Sequence, residues 1–351
     1  MFPFLLQLTI PAAVPRLMLV LALSLGLTVL GLSLLIRERT AILRSLVTVC
    51  AVITLLFALK LQWSSRIHFG VTPFGAALAL GLCIGWAVCL RSALQHGLDR
   101  EWMTRCLGAA VLGGILGARL GYVLLCAPRE VPLSECFRFN TGGLFGYGAY
   151  FGGALGAAWA SRDRGRQLRR WLDLGSPTFL AVIAVTRVGC YLEGSDFGRP
   201  TGPSIPRFLR NFGTYPRWNP MADGSFGGPP AWLHHVSDFG LSTDSVTSLA
   251  THPTQLYELL LVLILGGIAI RSNRAKAFDG RTFLLIALSY SAGRYFLEML
   301  RGDPDRGLFA APKQGHQLAL FSWTQLCAIA SMLLLAWYWR KWRSLAAFSE
   351  K

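Results

Sequence analysis

The feature that most constrains this chain is a series of apolar blocks, each roughly 17–22 residues long, which is the length that crosses the hydrocarbon core of a bilayer. Three of the blocks, 17–36, 73–90 and 318–338, contain no charged residue. Charged residues make up 15% of the chain, against about 25% in soluble domains. The blocks therefore predict a protein whose main solvent is lipid.

The apolar blocks define nine candidate membrane spans. The first is too long for the core of a signal peptide and has no small-residue cleavage site after it, so it is predicted to be a helix. The predicted fold class is all-α, a polytopic membrane helical bundle with an irregular external head at 195–250, a segment rich in Gly, Pro and Ser. The predicted spans are 17–36, 43–60, 73–91, 106–126, 143–161, 176–193, 254–270, 282–300 and 318–338.

The basic residues predict an orientation. The net charge of +16 could indicate a nucleic-acid partner, but the Lys and Arg residues lie between apolar blocks. One set of alternating loops carries 19 of them and the opposite set 12, and the richer side of a membrane protein is cytoplasmic. The predicted regions are an N-terminal extension at 1–66, membrane core at 67–194, a periplasmic head at 195–250, and membrane core with a cytoplasmic C-terminus at 251–351.

The cysteines and histidines give no metal site. None of the eight cysteines belongs to a CxxC pair, so we expect thiols that behave as small buried hydrophobes and no zinc. His234 and His235 have no cysteine nearby, and we expect them in a solvated loop.

Three arginines, Arg119, Arg187 and Arg294, fall inside apolar blocks, together with Glu258 and Glu298. A cation in the bilayer core costs at least about 2.5–3.5 kcal/mol, so such residues usually face a cavity and have a function. The alternative is internal ion pairing that only holds helices together.

The eighth span carries a polar ladder of Tyr290, Arg294, Glu298 and Arg301. The spacing i, i+4, i+8 and i+11 places them on one helix face. A fixed guanidinium binds phosphate through two parallel hydrogen bonds and stays charged away from water. The ladder therefore suggests an anion site within the bundle.

Two further segments are predicted to place polar groups near the outer surface of the membrane. Arg187 precedes a glycine-bearing turn at headgroup depth, which suits a lipid phosphate, although a helix-packing glycine stripe with an arginine reaching for the surface is the alternative. The seventh span opens His252-Pro253-Thr254-Gln255-Leu256-Tyr257-Glu258, and Gln255 and Glu258 are expected to point into the bundle.

The quoted segments resemble a known family. TRVGCYLEGSDFGRPTG, THPTQLYE and YSAGRYFLEMLRGD are similar, in the same order, to three hallmark segments of bacterial prolipoprotein diacylglyceryl transferases. GARLGYVL, VTPFGAALALGLCIGW and AYFGGALG resemble earlier parts of that family. The resemblance covers residues 70–340 and implies a bundle of seven or so spans, which leaves the first two predicted spans as an N-terminal addition.

The resemblance implies an activity and roles for residues. Family members move a diacylglyceryl group from phosphatidylglycerol to the lipobox cysteine of a prolipoprotein in the bacterial inner membrane and release glycerol phosphate. The implied reaction requires no metal or organic cofactor. The implied partners are phosphatidylglycerol, lipobox signal peptides and membrane lipid, without nucleic acid. The implied catalytic residues are Arg294, Glu298 and Tyr290, and the implied phosphatidylglycerol-binding residues are Arg187, Arg119, Gly198, His252, Gln255 and Glu258.

Three positions depart from the best-known form of the family, namely Phe74, Phe151 and Cys190, where that form has Tyr, His and Asn. The histidine is a proposed thiol base there, so the base in this chain is left open among Glu258, Glu298, His252 and the field of the arginines. A catalytically silent lipid-binding or transport protein on the same scaffold is the alternative function, although inverted repeats typical of transporters are not visible.

Overall fold

The computed structural model describes residues 6–10, 67–126, 143–202, 205–217, 228–274, 277–303, 307 and 322–349. Within these residues the chain forms nine helices and one antiparallel pair of strands. The strands are β1 (Leu6–Ile10) and β2 (Ile67–Val71), and the helices are α1 (Pro73–Gln95), α2 (Arg100–Leu125), α3 (Gly146–Ala160), α4 (Gly165–Glu193), α5 (Arg207–Phe212), α6 (Pro230–Phe239), α7 (Thr254–Arg274), α8 (Arg281–Leu300) and α9 (Trp323–Ser349).

Five of the described helices, α1, α2, α4, α7 and α8, are long and apolar enough to cross a membrane. The predicted helical bundle is confirmed, with the short β1–β2 ribbon in addition. The predicted segment 143–161 forms α3, which has only 15 residues, and α9 continues to Ser349, beyond the predicted end at 338. The predicted spans 17–36 and 43–60 lie outside the described residues.

Helix α4 begins at Gly165, well before the predicted start at 176. Its first turns carry Arg166, Arg169 and Arg170, which lowered the hydropathy that defined the predicted span, although arginine is a good helix former. The buried Asp173 then joins this end of α4 to α8, because its carboxylate accepts hydrogen bonds from the Gly280 and Phe283 amides at 2.7 and 2.9 Å. One end of the bundle is thus fixed, and the functional candidates lie at the other end.

Helices α4, α7 and α8 pack around an apolar core below that other end. The core includes Leu180, Ile183, Ala184, Val262, Leu265 and Ile286. Helix α4 ends, α7 begins and α8 ends at the same level, which we call the site end of the bundle.

The segment predicted as an irregular head contains two short helices, α5 and α6. The expectation of a solvated loop around His234 and His235 was wrong, because both lie on α6, and His235 is fully buried between the rings of Phe197 and Phe239. The Gly and Pro content on either side hid this ten-residue helix. The head is tied to the site end by bridges between Gly198 and Arg301 and between Pro200 and Thr251.

Candidate functional site

Three helices each contribute a buried or largely buried charged side chain to one point at the site end. The Glu258 carboxylate, from α7, lies between two guanidinium groups: its Oε1 is 3.1 Å from Arg187 Nε, on α4, and its Oε2 is 3.8 Å from Arg294 Nη1, on α8. Glu258 is 3% exposed. Because each charge is met by an opposite one, the group avoids the several-kcal/mol penalty of an unpaired buried ion.

The polar ladder on α8 extends this contact. Arg294 Nη2 lies 3.0 Å from Glu298 Oε2, and Arg301 Nε lies 4.0 Å from the same oxygen. Tyr290 Oη donates a 2.7 Å hydrogen bond to Glu258 Oε1. The prediction of one helix face inside the protein is confirmed for Tyr290, Arg294 and Glu298. Arg301 was predicted on the same face but lies one residue beyond the end of α8, where it is also buried.

Asp196 closes the group from the head side. Its carboxylate pairs with Arg187 and, at 2.5 Å, with Arg301, which also bonds Asp303. Burial raises the pKa of Asp196, but the guanidinium groups of Arg301 and Arg187 outweigh burial and hold that pKa well below its ordinary value. Asp196 and Asp303 complete the set of buried charges at the site end. We call this set the arginine–carboxylate cluster: Arg187, Asp196, Glu258, Arg294, Glu298, Arg301 and Asp303.

The loop that carries Asp196 is held by the first turn of α7. Gln255 Nε2 donates to the Ser195 carbonyl at 2.5 Å, and Thr254 Oγ1 donates to the Asp196 carbonyl at 2.7 Å. Tyr215, from the head, donates to Gln255 Oε1 at 3.1 Å. Gln255, which was predicted to bind the lipid, thus holds the loop beside the cluster in position through its side-chain hydrogen bonds.

Gly198 lies where the head crosses the end of α8. Its amide donates to the His252 carbonyl at 3.0 Å, and a Cβ at this position would lie 2.6 Å from His252 Cβ and 2.9 Å from the Leu300 carbonyl oxygen. Only glycine fits without a shift of the backbone. His252 is half-buried, with Nδ1 3.4 Å from Tyr257 Oη. Its backbone carbonyl contacts Gly198, which in turn pairs with Arg301 of the cluster.

Arg119 is placed elsewhere. It is buried on α2, donates to the Gly143 carbonyl at 3.1 Å and lies 5.6 Å from the centre of the Tyr122 ring. The hydrogen bond to Gly143 joins α2 to the segment before α3. The described contacts do not bring Arg119 into the cluster with Arg187 and Arg294.

The three departures from the family pattern have different surroundings. Cys190 is buried one turn after Arg187, with its Sγ 3.8 Å from Arg187 Nη1. Phe151 packs against Tyr147 on α3 and has no group that can accept a proton. The backbone of Phe74, at the start of α1, lies close to Gly189 of α4.

Sequence reasoning missed Asp196 and Asp303 of the cluster and Tyr150 beside it. Asp196 adopts φ +55°, a conformation that Asp tolerates better than most side chains, and the preceding Gly194 was the only signal of a turn there. The Tyr150 hydroxyl lies 2.9 Å from that of Tyr290. Nothing in the spacing of α3 indicates this contact, because it depends on how α3 docks against α8.

The chemistry available at the cluster is anion recognition away from water. Three guanidinium groups converge from two helices and a helix end, and such groups bind phosphate in a fixed geometry. In a water-poor site they also stabilise negative charge that develops on a leaving group. The fold and this site define the class: a multi-pass helical membrane protein with a buried site of paired arginines and carboxylates at one end of its bundle.

The family follows from comparison with known proteins. The family model for prolipoprotein diacylglyceryl transferase matches residues 63–340, so the chain belongs to that family and is a transferase. It is 31% identical over 273 residues to the phosphatidylglycerol–prolipoprotein diacylglyceryl transferase of Thermus thermophilus, which covers 76% of this chain and 93% of the relative. The proteins of the same name from Clostridium tetani and Ralstonia pickettii are 25% and 29% identical, over 71% and 75% of this chain and 88% of each relative.

Proposed function

We propose that this protein transfers the diacylglyceryl group of phosphatidylglycerol to the lipobox cysteine thiol of prolipoproteins in the bacterial inner membrane. The relatives carry the names of both substrates. The observation that carries the proposal is the Glu258 carboxylate held between Arg187 and Arg294, because it fixes two guanidinium groups beside each other near the site end of the bundle.

The reaction forms one bond and breaks one. The acceptor sulfur, as thiolate, attacks the glycerol carbon that bears the phosphate ester. The carbon–oxygen bond breaks, its electron pair goes to the phosphate oxygen, and a thioether and glycerol phosphate result. Arg294 stabilises the negative charge that grows on the phosphate, and Arg187 holds the headgroup. Removal of one hydrogen-bond donor to such a developing charge typically lowers the rate about 10²–10³-fold.

Glu298 and Asp196 orient the arginines. Glu298 is fully buried and lies within 3.0 Å of Arg294, so it fixes the direction in which that guanidinium presents its remaining N–H groups. Asp196 joins the Arg187 and Arg301 guanidinium groups across the loop. The headgroup phosphate then meets guanidinium N–H groups whose directions are set before binding.

The proposed topology places the head, residues 195–250, in the periplasm and the loop between α3 and α4, with the first turn of α4, in the cytoplasm. Both Asp244 and Gln167 are exposed, one on each side. In a background without other reactive cysteines, Asp244→Cys should react with an impermeant maleimide on intact cells, and Gln167→Cys only after permeabilisation. The reverse pattern would refute the topology.

The proposed function is tested with the purified full chain in vesicles of phosphatidylglycerol labelled in the diacylglyceryl part. A lipobox peptide should acquire the label, and the same peptide with Ser in place of its Cys should not. Absence of labelled peptide from the Cys acceptor would overturn the proposal.

A further inference from the structure

We infer that Tyr150 and Tyr290 form a proton relay that takes the proton of the acceptor thiol to the Glu258 carboxylate. The inference rests on the proposed function and assigns a catalytic residue, Tyr150, whose hydroxyl meets the thiol. The relay joins three helices, because Tyr150 lies on α3, Tyr290 on α8 and Glu258 on α7.

The direction of the relay follows from counting protons. Tyr290 has one hydroxyl proton, which it donates to Glu258 Oε1 at 2.7 Å. The Tyr150 hydroxyl lies 2.9 Å from the Tyr290 oxygen, and Tyr150 must be the donor in that contact. The Tyr150 oxygen is then left with lone pairs only, so it accepts a proton from the next donor in line.

The position of the Tyr150 ring is fixed by its neighbours. Its centroid lies 5.7 Å from that of Tyr147, 5.7 Å from that of Phe179 and 5.9 Å from that of Tyr290, each in an edge-to-face arrangement. Such contacts favour one ring orientation. The adjacent Phe151 cannot take a proton. Of the two tyrosines on this stretch of α3, Tyr147 and Tyr150, it is Tyr150 whose hydroxyl lies 2.9 Å from that of Tyr290.

The end of the relay couples proton transfer to phosphate departure. The thiol proton moves to Tyr150 as the Tyr150 proton moves to Tyr290 and the Tyr290 proton moves to Glu258. Neutral Glu258 no longer compensates Arg187 and Arg294, from which its oxygens lie 3.1 and 3.8 Å. Both guanidinium groups then face the phosphate as its negative charge grows, and Glu258 finally returns the proton to the released glycerol phosphate.

The charge balance is complete at every stage. The thiol loses one proton and Glu258 gains one, so the thiolate takes over the negative charge that Glu258 gives up. Carbon–sulfur bond formation consumes the thiolate charge and places it on the leaving phosphate. The tyrosines are neutral before and after, and the relay requires no further reactant.

The test compares two acceptors whose acidities differ, a cysteine lipobox peptide and the same peptide with selenocysteine. The full chain in phosphatidylglycerol vesicles is assayed in single turnovers at pH 7. A selenol is ionised there, whereas a thiol with a pKa of about 8.5 is not. Positioned bases contribute about 10²–10⁴-fold, so Tyr150→Phe should slow transfer to cysteine at least about tenfold and leave transfer to selenocysteine close to wild type.

The pH profile gives a second readout. With the cysteine peptide, the transfer rate of Tyr150→Phe should approach the wild-type rate as the pH approaches the thiol pKa. The KM for phosphatidylglycerol should be unchanged. Tyr295→Phe, on α8 beside Arg294, is the matched loss of a hydroxyl and should behave as wild type. Should Tyr150→Phe fail to fold, Tyr290→Phe interrupts the same relay and should show the same selenocysteine rescue.

The outcomes separate the relay from the function on which it rests. If wild type transfers no diacylglyceryl group to either acceptor, the proposed function fails. If wild type is active and Tyr150→Phe keeps the wild-type rate with cysteine at pH 7, or slows equally with both acceptors, the function stands and the relay is wrong.

Discussion

Two interhelical contacts in this protein use opposite physics. Helices α2 and α3 meet through glycines. A Cβ on Gly117 would lie 2.9 Å from the Gly152 Cα, so the two backbones can touch only because Gly117 has no side chain. Helices α4, α7 and α8 meet at the arginine–carboxylate cluster. In lipid, the first contact gains dispersion energy from close approach, whereas the second has to compensate the burial of ions.

The difference separates packing from chemistry. The glycine contact carries no group that can react, so a change there should act through the amount of folded protein. The cluster contains groups that can bind and stabilise phosphate, so a conservative change there should act on the rate per folded molecule. The following variants challenge that distinction, from the largest expected effect to the smallest.

Arg294→Ala should have the largest effect on transfer. It removes the guanidinium that contacts both Glu258 and Glu298, and we expect a loss of at least about a hundredfold in rate, with folded protein still in the membrane. The transfer assay and extraction from membranes measure the two quantities. A near-normal rate would place the chemistry elsewhere.

The ladder that contains Arg294 is also the part of the site that sequence predicted best. Helical spacing alone placed Tyr290, Arg294 and Glu298 on one buried face, because the period of a helix is local. Asp196 could not be predicted in this way, since its place depends on a loop held by Gln255 and Thr254. The buried His235 was predicted wrongly, because local composition suggested a loop and only tertiary packing explains its burial.

Arg187→Lys should come next. Lys keeps the charge but loses the planar fork that binds phosphate through two hydrogen bonds, and it cannot span both Asp196 and Glu258 in the same way. We expect at least about a tenfold loss of transfer. Phosphatidylglycerol titration should show a raised KM, and wild-type behaviour would mean that charge alone suffices.

Gly117→Val should lower folded yield by more than it lowers the rate per folded molecule, in which the shift of α3 acts only through the position of Tyr150. Overpacking typically costs about 1–3 kcal/mol, and here the added atoms would meet the Gly148 and Gly152 backbone. Gly266→Val on α7 is the control, because a Cβ there has no heavy atom within 4 Å. Equal thermal stability of the two variants in detergent would refute the packing role.

Glu298→Gln should reduce turnover by about tenfold if its carboxylate is required to orient Arg294 or to take a proton. The substitution keeps the shape of the side chain and removes its charge. The measurement is the initial rate against pH. An unchanged rate and profile would leave Glu298 with a packing role alone.

His235→Phe should have the smallest effect, on the stability of the head at acid pH. Burial, with a smaller contribution from His234, lowers the pKa of His235 to about 4. A pKa below the unfolded value means that stability is fully present above about pH 6.5 and falls as pH drops towards 4. Thermal unfolding at pH 7 and pH 5 should therefore change less in His235→Phe than in wild type.

The exposed His96 provides the control for that comparison. His96→Gln should keep the pH dependence of wild type. An equal loss of stability on acidification in wild type and His235→Phe would show that another group governs the head.

The most direct test of the account uses phosphatidylglycerol labelled differently in its two glycerol units. Wild-type protein should place the diacylglyceryl label on the lipobox peptide and release the headgroup label as glycerol phosphate in equal amounts, and Arg294→Ala, at the same folded amount, should do neither. Equal and undiminished transfer by Arg294→Ala, or release of the headgroup without labelled peptide in wild type, would contradict the assignment of transfer to the arginine–carboxylate cluster.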